Sequence, residues 1–178
     1  MRSVGVVLLT VMLFGCEDKI KPSRLSGDEI ADTAVPSQES WKATVVISDS
    51  GKVRAILKAG HISVYDDRMM THMDREVTVD FYDTSGIHTS VLASREAWVN
   101  DRTKNLEARG DVVVKSDNGS VLVTEVLYWD NARRKVHTDE FVKITTPDEA
   151  IQGRGFESDE TLRYYKVFKV SAESKSQQ

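Results

Sequence analysis

The chain of 178 residues has the length of one domain, or of one domain with a tail. Its 40% hydrophobic and 29% charged residues are ordinary for a folded protein, and three prolines and ten glycines exclude a collagen-like or low-complexity chain. A formal net charge of −4 argues against a nucleic-acid partner, and the single cysteine, Cys16, excludes an internal disulfide and a multi-cysteine zinc site.

Val4 to Phe14 is apolar apart from Gly5 and Thr10 and follows Arg2. As a helix it rises about 16 Å, roughly half a bilayer core, so it reads as a secretory signal rather than a membrane span. It runs into Leu13-Phe14-Gly15-Cys16, which resembles the lipobox of bacterial lipoproteins. That resemblance implies a signal peptide over 1–15, cleavage before Cys16 and acylation of its thiol and new amino terminus. Several acyl chains on one residue give a durable membrane anchor. The alternative is a plain secretory signal with an incidental cysteine. Glu17-Asp18, just after the cysteine, hint at retention in the inner membrane. Residues 16–40 are then the lipidated cysteine and a polar tether, with Pro22, Pro36 and no sustained apolar period. Such a flexible segment spans roughly 25–30 Å end to end.

From Trp41 the pattern turns to period two, the mark of half-buried strands. Val77, Val79 and Phe81 alternate with Thr78, Asp80 and Tyr82; Val112 and Val114 flank Val113; Val142 and Ile144 flank Lys143. Turn clusters intervene at Ser48–Gly51, Asp83–Gly86 and Ser116–Gly119. A second class of turn, Asp66-Asp67, Asn100-Asp101 and Asp130-Asn131, lies between them. The signals repeat. A shift of 30 lays Ser90–Ser94 over Ser120–Thr124, Leu106 over Val136 and Val114 over Ile144; a shift of 29 lays Leu122 over Ile151 and Leu127 over Phe156. Units of about 30 residues with such short connections leave no room for helices. The expected fold is all-β: an open-sided antiparallel jellyroll of two facing sheets over 41–170, followed by a disordered polar tail at 171–178.

Several stretches resemble the LptC family, the periplasmic component of lipopolysaccharide export, and more broadly the OstA-like jellyroll repeats. They are Pro36–Ser40, Ser50–Ala55, Val64–Asp66, Val79–Tyr82 with Gly86, Ala93–Ala97, Gly110–Val114, Leu127–Asp130 and, most specifically, Ile151-Gln152-Gly153-Arg154-Gly155-Phe156-Glu157-Ser158-Asp159. The resemblance covers roughly Pro36 to Val170. Many family members carry a transmembrane helix where this chain carries a lipobox.

The resemblance implies transport without chemistry. An inner-membrane lipopolysaccharide-export ABC transporter extracts the lipid, the jellyroll holds its acyl chains between its sheets, and a periplasmic bridge protein of the same fold receives it. The chain would be periplasmic, anchored to the inner membrane through Cys16. Candidate interior residues are Val79, Phe81, Val91, Val112, Val114, Val123, Val142 and Ile144. Tyr165, Val167 and Phe168, in the last strand, are candidates for the edge that meets the bridge protein.

Other readings stay open. The interior set also suits a closed core, and the chain also suits an envelope lipoprotein that binds another amphiphile or is purely structural. Trp98, Tyr128 and Trp129 suit either a cleft mouth or packing at sheet corners. Arg133-Arg134-Lys135 suits a solvated turn more than a lipid-phosphate contact. No metal or cofactor is expected: His61, His72, His88 and His137 lack zinc-type spacing. An enzyme is not expected either, because no Gly-x-Ser-x-Gly elbow appears and adjacent acids such as Asp66-Asp67 point to opposite faces of a strand.

Overall fold

The computed structural model describes residues 35–175. The expected signal peptide, Cys16 and most of the tether lie outside the described residues, as do 176–178.

Nine strands follow one another: β1 (Gln38–Asp49), β2 (Lys52–Tyr65), β3 (Met70–Tyr82), β4 (His88–Asn100), β5 (Leu106–Ser116), β6 (Val121–Asp130), β7 (Lys135–Thr145), β8 (Glu149–Asp159) and β9 (Tyr165–Lys175). They form one antiparallel sheet in sequence order, in which β1 pairs only with β2 and β9 only with β8. There are no helices among the described residues. Both classes of turn fall where the sequence places them. The β1–β2, β3–β4 and β5–β6 hairpins close at Gly51, Gly86 and Gly119, and Asp83 organises its turn by accepting from Ser85 N (2.7 Å) and Ile87 N (2.9 Å). The Asp/Asn turns close the opposite ends of the strands.

The two layers are the halves of this one sheet. Its ladders are interrupted along a line that crosses mid-strand: Lys58/His61, Asp74/Val77, Ala93/Glu96, Arg109/Val112, Thr124/Tyr128 and Thr138/Phe141. Extra residues in one strand of a pair bend the ladder. Arg75, Glu76, Gly110, Asp111 and Gly155 have positive φ along this crease. The spacing of inward residues across it follows a rule. In β2, β4, β6 and β8 they step by three (Ala59 to Ile62, Ser94 to Ala97, Thr124 to Leu127, Gly153 to Phe156). In β3, β5 and β7 they step by four (Met73 to Val77, Ala108 to Val112, Thr138 to Val142). A step of three reverses the inward parity; a step of four keeps it.

Folding along the crease puts one half of the sheet on the other. Phe81, at the Gly-turn end of β3, meets Trp129, at the Asp/Asn-turn end of β6, edge to face at 5.1 Å. The enclosed apolar residues form a single core that runs from β1 to β8. Three inward positions at the crease are polar. Ser94 Oγ donates to Glu96 O (3.0 Å), Thr124 Oγ1 to Phe141 O (2.9 Å), and Thr138 Oγ1 accepts from Glu140 N (3.1 Å). They serve backbone groups released where the ladder breaks.

Two boundaries differ from expectation. The first strand starts at Gln38, three residues before Trp41. The polar stretch from Ser171 does not end the fold: β9 continues to Lys175, with Ala172 opposite Gln152 and Ser174 opposite Ala150. Main-chain pairing extends this strand even though Ser171 to Ser174 are exposed.

Candidate functional site

The candidate site is the space between the two halves of the sheet. Val79, Phe81, Val112, Val114, Val142 and Ile144 all point into it, each 2% exposed or less. They lie on β3, β5 and β7 between the crease and the turns that follow these strands (at Gly86, Gly119 and Thr146-Pro147-Asp148), where alternation is unbroken. Val91 and Val123 do not point inward, contrary to expectation. Val91 sits between Asp80 and Lys115 on the outer face, and Val123, between Val113 and Lys143, is 42% exposed. Their neighbours Leu92 and Leu122 are the inward residues. Both errors come from the three-residue step of the even strands. Beyond the crease Ala97 and Val99, or Leu127 and Trp129, set an odd inward parity; before it the parity is even.

Leu57, Leu92, Leu106, Leu122, Leu127, Trp129 and Phe156 line the same space and are absent from the candidate set. A signal for four of them was present. The 29- and 30-residue overlays align Leu106 with Val136, Leu122 with Ile151 and Leu127 with Phe156, all buried or partly buried inward positions.

The lips of the folded sheet are the two rows of turns. The β8–β9 loop, on the Asp/Asn-turn lip, reaches the opposite lip. Its Glu160 O accepts from Ser90 Oγ (2.9 Å), and its Thr161 O accepts from Ser116 Oγ (2.6 Å) and Asn118 Nδ2 (2.8 Å). The Glu160 carboxylate is buried; it accepts from Trp129 Nε1 (3.1 Å) and pairs with Arg134 Nη2 (2.5 Å). Leu162 is 1% exposed, between the lips, in the left-handed region at φ 53°. The basic turn therefore divides. Arg134 holds the loop, while Arg133 lies near Asp130 and Lys135 near Glu157. The Asp83 carboxyl, on the far lip, is held below its ordinary value chiefly by the Ile87 N–H, which outweighs the opposing effect of burial with help from the Ser85 N–H and the Arg134 charge.

Trp129 packs inside, whereas Trp98 and Tyr128 are on the outer face. Trp98 lies between Tyr65 (6.2 Å) and His72 (4.1 Å), and Tyr128 stacks on His137 (5.3 Å). His61, His72 and His88 each contact carboxylates on the outer face: Glu39 and Asp74, Glu96, and Asp80 and Asp117. Among the described residues no three His, Cys, Asp or Glu side chains gather as a metal site.

At the carboxy-terminal edge, Tyr165 and Val167 pack partly buried against the core, and Phe168 is 54% exposed on the other face. The Tyr165 hydroxyl donates to Glu149 Oε1 (2.5 Å). Burial, then this carboxylate, pushes the phenol up to about 12. A depression of about 910 Å³ opens beside the strand, lined by Ile151, Leu162, Tyr165, Val167 and Val170 and by polar neighbours. Gly153 and Gly155 explain the most specific stretch of the sequence. A Cβ on Gly153 would lie 2.4 Å from Lys169 O, so β9 packs against bare backbone there, and Gly155 has a φ of 80°.

No helix among the described residues is long and apolar enough to cross a membrane. No curated protein matches the chain. A family model, "Lipopolysaccharide-assembly, LptC-related", matches residues 5–169. That span takes in eight of the nine strands whole, the first part of β9 and the candidate cleft, and the chain accordingly belongs to the LptC-related family of lipopolysaccharide assembly, with a role in lipopolysaccharide transport.

Proposed function

We propose that the folded sheet takes the acyl chains of lipopolysaccharide between its halves. It receives the lipid from the inner-membrane export ABC transporter and passes it to a periplasmic bridge protein of like fold. The observation that carries this reading is the continuous inward apolar face from Leu57 on β2 to Phe156 on β8, with an unpaired sheet edge at each end. Such a face suits acyl chains, which need apolar surface and no directional partner. Unpaired edges suit strand addition by neighbours. Trp41 on β1 and Phe168 and Val170 on β9 are more than half exposed at those edges, which favours a covering partner at each. In this reading the family's association with the inner membrane is made here through acylated Cys16. Mass spectrometry of the mature chain tests that part: an unmodified Cys16 would remove the anchor from the proposal.

Photo-cross-linkers test the cleft. Placed at Val79, Val112 or Val142, they should capture lipopolysaccharide while the export complex turns over ATP. At Asp80 and Lys143, on the outer face, capture should be far lower, because a pleated strand alternates faces. Equal capture on both faces would mean surface adsorption and would refute the cleft. Absence of capture at every position would favour a structural envelope protein.

A further inference from the structure

We propose that the β8–β9 loop is a lateral clasp: it holds the two lips of the folded sheet together and must release for a lipid to enter or leave sideways. This rests on the acyl-chain reading above. A lipid with large polar sugars can place its chains between the layers only while its head stays in water. The chains must then pass between the lips, where the loop lies.

The loop is built to hold that passage shut. Glu160 and Thr161 connect the lips through three hydrogen bonds from Ser90, Ser116 and Asn118. The Glu160 carboxylate anchors the same segment to its own lip through Trp129 and Arg134. Asp159 stiffens the loop by accepting at Oδ1 from the N–H of Thr161 (3.1 Å) and Arg163 (3.2 Å). Leu162 then fills the gap with an apolar side chain.

The loop is also built to let go. Leu162 is a bulky residue with a left-handed backbone, a conformation that is strained for such a side chain and persists only where surroundings enforce it. Arg134 Nε is buried and has no hydrogen-bond partner, so the ion pair that pins the loop is incompletely satisfied. Leu162 and the Phe81–Trp129 pair are apolar, and an acyl chain can replace them. The sheet has a crease along which the halves can swing. Closed and lipid-loaded forms then differ by rotation about that crease, with the loop as the element that biases them.

The test uses the full chain with nitroxide labels on ketone-bearing unnatural residues at Thr84 and Arg133, one on each lip, so that Cys16 is untouched. Electron–electron distance measurements are made with and without lipopolysaccharide, alongside photo-capture at Val142. Wild type should show one short distance alone and a longer population when lipid is captured. Glu160→Gln, and the milder Asn118→Ala, should show the longer population without lipid and capture lipid several-fold faster. Circular dichroism identifies a variant that has unfolded, in which case Asn118→Ala decides. Capture at Val142 with the lips still at the short distance would overturn the clasp. So would variants whose lips stay closed. Lips that part in the variants while no lipid is captured in any chain would retain the clasp as a hinge lock and refute the acyl-chain reading instead.

Discussion

Gly153→Ala should detach the last strand from an otherwise intact sheet. The added methyl would lie 2.4 Å from the Lys169 carbonyl oxygen and 2.6 Å from Val167 Cγ1, where ordinary contact begins at 3.4 Å. The Val167 side chain can rotate, but a backbone carbonyl in a ladder cannot. β9 must therefore withdraw by roughly 1 Å, the difference between 2.4 and 3.4 Å. Overpacking of this kind costs about 1–3 kcal/mol. Because β9 has one neighbour, the cost is relieved by local opening rather than shared through the sheet. At about 1.4 kcal/mol per factor of ten, hydrogen-exchange protection of β9 amides should fall roughly 5- to 150-fold. Amides of β3 to β6 should keep theirs. Gly51→Ala serves as a control, since a Cβ there meets nothing within 4 Å and any strain from its φ of 77° falls in the β1–β2 turn. Unchanged β9 protection, or an equal loss across all strands, would refute the argument.

Three further outcomes follow from burial and charge. Val142→Lys places an unpaired charge at a fully buried position and should cost more than about 4 kcal/mol or prevent folding, whereas Val123→Lys on the outer face should stay within about 0.5 kcal/mol in urea titrations. Trp129→Ala should cost about 3–5 kcal/mol, read as a lower urea midpoint, because it removes a buried ring against Phe81 and the donor to Glu160. Tyr165 favours its protonated form when folded, so its contribution is complete below pH 10.0 and lost as pH rises from there to about 12; Tyr165→Phe should flatten that alkaline loss in denaturant midpoints.

The all-β class, the hairpin array and both rows of turns were legible in the sequence because each depends on local chemistry. Alternation identified Val79, Phe81, Val112, Val114, Val142 and Ile144 as inward, and their strands keep parity across the crease. It failed at Val91 and Val123, where apolar residues occupy both parities and the three-residue step reverses the inward face. The Ile151–Asp159 stretch marked the family, yet the reason for its first glycine appears only when Lys169 is brought against it.

Local pattern thus determined which segments pair and in what order, since each hairpin is closed by its own turn. It pointed to two facing layers, but not to their being halves of one sheet folded along a crease. That depends on bulges whose positions show as broken ladders between strands, and on contacts such as Phe81 with Trp129, which are far apart in sequence. Nor did it indicate that Glu160 and Leu162 would leave an ordinary turn to join the opposite lip. A buried carboxylate is recognisable only through its partners, and Trp129, Arg134 and Glu160 meet only after the sheet has folded along its crease.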